Sequence, residues 1–203
     1  MTDSSAPASR RALEDDARVR EILERIEQSE TINQRRLAAD LGVALGLVNA
    51  YVNRCVTKGW VKVQQVPARR YRYYLTPKGF AEKSRLTLQF LNDSFVALRR
   101  ARASFERLYD GLEAQGARRV ALAGDDDLVD IAMLAARGRA VEIVGAWNPL
   151  DGPTPAWDAA RVQTWIVASA RRAVPVREAL VARLGEVAVA APDVLPMGRK
   201  GGR

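Results

Sequence analysis

Histidine is absent from this sequence of 203 residues, and cysteine occurs once, at Cys55. Without histidine there is no imidazole for general acid–base catalysis and no Ser-His-Asp triad. One thiol cannot complete the four nitrogen and sulfur ligands of a tetrahedral zinc site, which leaves only a metal held by carboxylates, and no metal site is expected. It cannot close an internal disulfide either, which fits a reducing, cytoplasmic setting. No apolar run approaches the roughly 18 residues that span a bilayer. The opening MTDSSAPASR has no apolar core, so neither a signal peptide nor a membrane partner is expected. What is present is a 48% apolar composition, enough for a globular protein with one large core or two small ones.

The net charge of +8 is unevenly distributed. Between residues 31 and 78 stand nine cations: Arg35, Arg36, Arg54, Lys58, Lys62, Arg69, Arg70, Arg72 and Lys78. The only acid there is Asp40, so this segment alone carries an excess equal to that of the whole chain. A positive field concentrated on a short segment is the footprint of a surface that meets phosphates.

Hydrophobic spacing gives the order of elements. Leu13, Val19, Ile22, Leu23 and Ile26 fall on one face of a helix over residues 10–28. Asn33 can cap a second, short helix that stops at Gly42. A third runs from about Leu45 to Lys58 and stops at Gly59. Two helices joined by a short glycine-containing turn form a helix-turn-helix. WVKVQQV and YRYYLT then read as strands around a turn begun by Pro67, a hairpin or wing. Tyr71, Tyr73 and Tyr74 are expected to pack this wing. Pro77 suits the first position of a long helix to about Ala114. That helix carries a heptad seam: Leu88, Phe95, Arg102 and Tyr109 on one position, Leu91, Leu98, Phe105 and Leu112 on the other. The seam implies a homodimer through this helix, or a helix lying on its own domain.

The wing and helices place candidate DNA contacts. A reading helix needs one apolar face to hold it and one polar face to read. Val48, Val52, Cys55 and Val56 supply the first, with Cys55 expected as a small buried apolar residue. Asn49, Asn53 and Arg54 are the candidates for bases, because amides and guanidinium pair with purine edges. Arg35, Arg36, Thr57, Lys58, Lys62, Arg69, Arg70 and Arg72 are the candidates for phosphates and the wing's groove.

Leu37-Ala38, Leu41-Gly42-Val43, Leu45-Gly46, Val48-Asn49, Lys58-Gly59-Trp60-Val61-Lys62, Leu75-Thr76-Pro77-Lys78-Gly79, Glu82-Lys83 and Arg85-Leu86-Thr87 together resemble MarR-type winged-helix regulators. The closest resemblance is to the EPS-associated (exopolysaccharide-associated) subgroup, over about residues 20–92. It implies double-stranded DNA as partner and control of surface-polysaccharide genes. Two positions depart from the pattern. Ala44 replaces the usual capping serine, and Leu47 stands near a usually polar position, where it would touch a thymine methyl or pack.

Past Gln115-Gly116 strands and helices alternate, which predicts a small parallel sheet with covering helices. The opening unit resembles small Rossmann-like domains of nucleotide- or sugar-handling proteins. Its glycine fingerprint is degraded: Gly124 remains, Asp126 and Val129 replace the later glycines, and Asn148 replaces the ribose-holding acid. Asp125, Asp126 and Asp127 suit a helix N-terminus but repel a pyrophosphate. Gly124, Asp125, Asp126, Asp127 and Asn148 are therefore a candidate site for a small-molecule effector, with no cofactor expected. Trp147, Trp157 and Trp165 line a pocket or fill the core.

The expected fold is an α+β winged helix, a long linking helix and a small α/β Rossmann-like parallel-sheet domain. The divisions are a disordered lead at 1–9, the winged helix at 10–78, the linking and dimerisation helix at 79–115, the α/β domain at 116–192 and a basic tail at 193–203. The expected function is a dimeric DNA-binding transcriptional regulator with a sensing or assembly domain. The alternatives are an enzyme or nucleotide binder on the C-terminal domain, and a protein-interaction scaffold. With no histidine, nucleophile elbow or intact glycine loop, an enzyme is not expected.

Overall fold

A computed structural model describes residues 6–29, 32–66, 70–153, 161–185 and 187–195. The chain divides into two compact units, 1–94 and 95–203. One helix contributes to both.

The first unit comprises α1 (Ala6–Gln28), α2 (Gln34–Leu41), α3 (Leu45–Thr57), β1 (Val61–Val66), β2 (Arg70–Leu75) and the opening of α4 (Pro77–Ala114). Helix α1 starts at Ala6 rather than at residue 10. Asn33 caps α2 as expected, its side chain accepting from the Arg36 N–H at 2.9 Å. Gly42, at φ +61°, ends α2 in the left-handed region. Ala44 begins α3 with no side-chain cap. The two strands pair antiparallel from Val61 opposite Leu75 to Val66 opposite Arg70. Val19, Ile22, Leu23 and Ile26 of α1, Leu37 of α2, Val48, Val52 and Cys55 of α3, Val61 and Tyr73 of the wing, and Leu86 of α4 form one core.

The entry to α4 is tightly constructed. The Thr76 hydroxyl donates to the carbonyls of Gly59 (2.6 Å) and Trp60 (3.2 Å). Its oxygen accepts from the Gly79 N–H at 3.0 Å. The Trp60 carbonyl also accepts from the Thr76 N–H at 3.0 Å. Gly79 lies so close to this carbonyl that a Cβ would stand 2.0 Å from its oxygen.

The second unit begins with the remainder of α4. It continues with β3 (Arg119–Ala123), α5 (Asp127–Ala135), β4 (Glu142–Trp147), β5 (Thr164–Val167), α6 (Ala173–Leu184) and β6 (Val189–Ala190). The strands form a four-stranded parallel sheet in the order β4-β3-β5-β6. The alternation of strand and helix thus produces the expected parallel sheet. Ala121 lies opposite Trp165 and Ala123 opposite Trp147. Small residues on the central strand leave room for two indoles, which meet edge to face at 5.8 Å. Both are buried in the core; Trp157 lies outside the described residues, as does the tail beyond residue 195.

The heptad seam divides in two. Phe105, Tyr109 and Leu112 are buried in their own unit's core, where the Tyr109 hydroxyl donates to the Ala132 carbonyl of α5 at 3.0 Å. Leu88 (62% exposed), Leu91, Phe95 (53%) and Leu98 remain in solvent. No residue from 87 to 100 is buried.

Candidate nucleic-acid interface

The core fixes which face of α3 is free. Val48, Val52 and Cys55 point inward. At 3.6 residues per turn, Gly46, Ala50, Asn53 and Thr57 then line the opposite face. Asn49 lies on one flank, Leu47 and Arg54 on the other. Small residues along the centre allow close approach to a groove floor. Asn49, Asn53, Arg54, Thr57 and Lys58 are all exposed. One sequence expectation changes and one open alternative narrows. Val56 is 37% exposed and is not part of the held face, because it sits a quarter turn from the buried stripe. Leu47 is 44% exposed, so it does not pack in the core and is free to meet a thymine methyl.

Partners from other elements already engage the reading side chains. Gln34, the first residue of α2, donates through Nε2 to Asn49 Oδ1 at 3.4 Å and to the Tyr73 hydroxyl of β2 at 3.2 Å. Asn53 Nδ2 donates to the same Asn49 oxygen at 3.2 Å. The Thr57 hydroxyl donates to the Asn53 carbonyl at 2.9 Å. Asp15 of α1 accepts from the Tyr51 hydroxyl, and its other oxygen lies 3.5 Å from Arg54 Nη1. The hydrogen bond to Asp15, then burial, raises the Tyr51 pKa. The loose, half-exposed ion pair leaves the Arg54 fork free to turn outward, at a cost of order 1 kcal/mol or less.

Arg35 and Arg36 are exposed in the first turn of α2. In the wing, Gln64 faces Arg72 and Lys62 faces Tyr74. The two-residue period puts Lys62, Gln64 and Arg72 on one face, and all three are exposed. Arg69 lies outside the described residues. Arg70 is placed as the strand partner of Val66. Cys55 is fully buried, and burial pushes its thiol pKa up to about 11. A redox-sensing cysteine needs the reverse, an exposed thiol of low pKa.

The C-terminal candidates also come together, at the carboxyl ends of β3, β4 and β5. Asp126 caps α5, accepting from the Leu128 N–H at 3.0 Å. It also accepts from the Ser169 hydroxyl (3.1 Å) and the Ala170 N–H (2.7 Å). Arg172 pairs with Asp125 at 2.8 Å and with Asp151 at 3.0 Å, and Asn148 Nδ2 donates to both acids. The hydrogen bonds that Arg172 donates to Asp151 and then Asp125 raise its pKa. Asp127 is exposed in the first turn of α5. Gly124, at φ +155°, brings its backbone against Ala168, whose oxygen would lie 2.1 Å from a Cβ. The connections from β3 and β5 leave to opposite sides of the sheet, which makes this end the switch point where ligands of open parallel sheets bind. The Asp126 carboxylate occupies the donors an anion would use there. Among the described residues, no three metal-ligating side chains cluster.

Sequence spacing did not reveal Asp15, Gln34, Tyr51 and Tyr73 in the first site, or Asp151, Ser169 and Arg172 in the second. Tyr51 lies on α3 itself; the others reach their sites from another element or across a crossover.

The three-helix order, the two-stranded wing, and a free α3 face of amides and a guanidinium beside exposed cations on α2 and the wing define a DNA-binding winged helix. Residues 15–62 match the model of a protein family described as winged helix-turn-helix DNA-binding. The match takes in α2, α3, most of α1 and the first residues of β1. No curated protein matches the chain. No helix among the described residues is long and apolar enough to cross a membrane.

Proposed function

We propose that this chain is a sequence-specific, double-stranded-DNA-binding transcriptional regulator. It acts as a homodimer in the cytoplasm, with α3 in the major groove. The observation that carries the reading is the free face of α3, which bears amides and a guanidinium and is bordered by the cations of α2 and the wing. The exposed Leu88, Leu91, Phe95 and Leu98 of α4 support the dimer. Leucine and phenylalanine in solvent at heptad spacing mark a surface that a partner covers. The MarR-type resemblance adds the EPS-associated subgroup and control of surface-polysaccharide genes.

The second unit is assigned a sensing or assembly role. Its Rossmann-like order supports an effector site at the sheet's carboxyl end. The Asp126 carboxylate argues against a pyrophosphate there, and thus against a dinucleotide enzyme.

Binding to a promoter fragment measured across salt concentrations tests the reading. Neutralising about six phosphates gives a slope near −5 in log K against log salt. Removing Lys62 and Arg72 together should make the slope shallower by about two units. A flat slope in the unaltered protein would overturn the DNA reading.

A further inference from the structure

The amide network on α3 constrains what its asparagines can read. Asn49 Oδ1 receives two hydrogen bonds, from Gln34 Nε2 at 3.4 Å and from Asn53 Nδ2 at 3.2 Å. Gln34 Nε2 has two hydrogens, and the second goes to the Tyr73 hydroxyl at 3.2 Å. Tyr73 is buried, with 5% of its surface exposed, so this anchor is fixed by the core. The Gln34 backbone is fixed as well, since it directly follows the Asn33 cap of α2. An amide held in this way has an orientation. Asn49 turns its oxygen toward the protein and keeps only N–H donors for a ligand. Asn53 gives up a donor to Asn49 and keeps its oxygen.

An asparagine that reads adenine must accept from N6 and donate to N7 with the same amide. Asn49 cannot do both while the two lone pairs of its oxygen are held by Gln34 and Asn53. An amide with only donors matches a base edge with only acceptors. In the major groove guanine supplies two side by side, N7 and O6. We propose that Gln34 is a specificity-determining positioning residue, which holds Asn49 as a hydrogen-bond donor and directs it to guanine rather than adenine. The proposal rests on the DNA-binding reading above. It adds to that reading the polarity of one contact and the residue that sets it.

Reversing the polarity of the partner tests this. In Gln34→Glu the carboxylate can only accept. It draws in Asn49 Nδ2 and turns Asn49 Oδ1 toward the groove. The Tyr73 hydroxyl can donate to the new carboxylate, so the anchor is kept. Sites are selected in vitro from a random-sequence duplex pool with the unaltered protein and with Gln34→Glu. The four duplexes differing at the changed position are then compared by direct binding. The unaltered protein should favour guanine at one position. Gln34→Glu should favour adenine or cytosine there, with the ratio of affinities reversed by at least about fivefold, the worth of one net hydrogen bond.

Asn49→Asp is a second variant that does not depend on Gln34→Glu folding. Its carboxylate can still accept from Gln34 and Asn53 but offers the groove only acceptors, so it should show the same change of base. If the unaltered protein enriches no site at all, the DNA reading fails and this inference with it. If it enriches a site, and both variants keep the same base at every position, this inference alone is overturned.

Discussion

Replacing glycine by alanine inside a helix ordinarily stabilises it by about 1 kcal/mol. The helix α4 contains two glycines at which this expectation takes opposite signs. A Cβ on Gly111 would meet nothing within 4 Å. Gly111→Ala should therefore gain close to the full 1 kcal/mol, raising the transition of a unit of about 100 residues by about 4–8 °C. A Cβ on Gly79 would stand 2.0 Å from the Trp60 carbonyl oxygen, 2.9 Å from its carbon and 3.2 Å from Leu75 Cγ. Relief requires a shift of about 1 Å or more, since carbon and oxygen rest beyond 3 Å. The Trp60 carbonyl cannot retreat freely, because it accepts from both the N–H and the hydroxyl of Thr76. Overpacking of this kind, plus a weakened hydrogen bond, outweighs the propensity gain. Gly79→Ala should lose about 2–4 kcal/mol net, which lowers the transition of the first unit by roughly 10–20 °C. Differential scanning calorimetry of the two variants beside the unaltered protein reads both signs. A Gly79→Ala protein that melts at or above the unaltered temperature would refute the close approach of α4 to the Trp60 carbonyl.

Cys55 should be inert to thiol reagents in the folded protein, with modification following the unfolding rate; rapid labelling at neutral pH would contradict its burial. The raised Cys55 pKa also implies that its contribution to stability is intact below the ordinary thiol pKa. That contribution is lost as the pH rises from there through about 11, which alkaline denaturation of Cys55→Ala against the unaltered protein would read. Asp126→Ala removes the α5 cap and strips the Ser169 hydroxyl and the Ala170 N–H of their acceptor, so it should cost about 2–3 kcal/mol in a melting assay. Asp126→Asn, which keeps one acceptor oxygen, should cost less. Asp15→Asn should bring the Tyr51 pKa down toward the ordinary phenol value in an ultraviolet titration, because the hydrogen bond to Asp15 is the largest cause of the rise.

The elements were legible because their signals are local. Asn33, Gly42 and Gly59 punctuate the helices, and period-two and period-3.6 patterns separate the wing from what precedes it. The β-rich runs 119–123, 142–147 and 164–167 lie between helical stretches, so a parallel sheet followed. The site was only half legible. Exposure of Asn49, Asn53 and Arg54 follows from helical periodicity. Their hydrogen-bond partners do not, because Gln34 and Asp15 lie 15 and 39 residues away in the chain. The charge count of residues 31–78 likewise missed Asp15, a carboxylate that folding adds to the flank of α3. The seam shows the limit of periodicity most plainly. Phe105, Tyr109 and Leu112 share the spacing of Leu88, Leu91, Phe95 and Leu98, yet the first three are buried in their own unit and the other four are in solvent. Helical spacing shows that a face wants covering and says nothing of which surface covers it.

The stretch of α4 from residue 87 to residue 100 has a mechanical consequence. It is about four turns long, roughly 20 Å, and its backbone bonds have no buried side chain beside them. A helix of this length standing alone in water is marginal, so it persists here because turns nucleated at either end propagate into it. It is a strut of low intrinsic stiffness. Covering its apolar stripe would add the burial it lacks, so pairing would harden the strut as well as join two chains. Its rigidity would then rise with protein concentration, and amide exchange across 87–100 at several concentrations would read that stiffening directly.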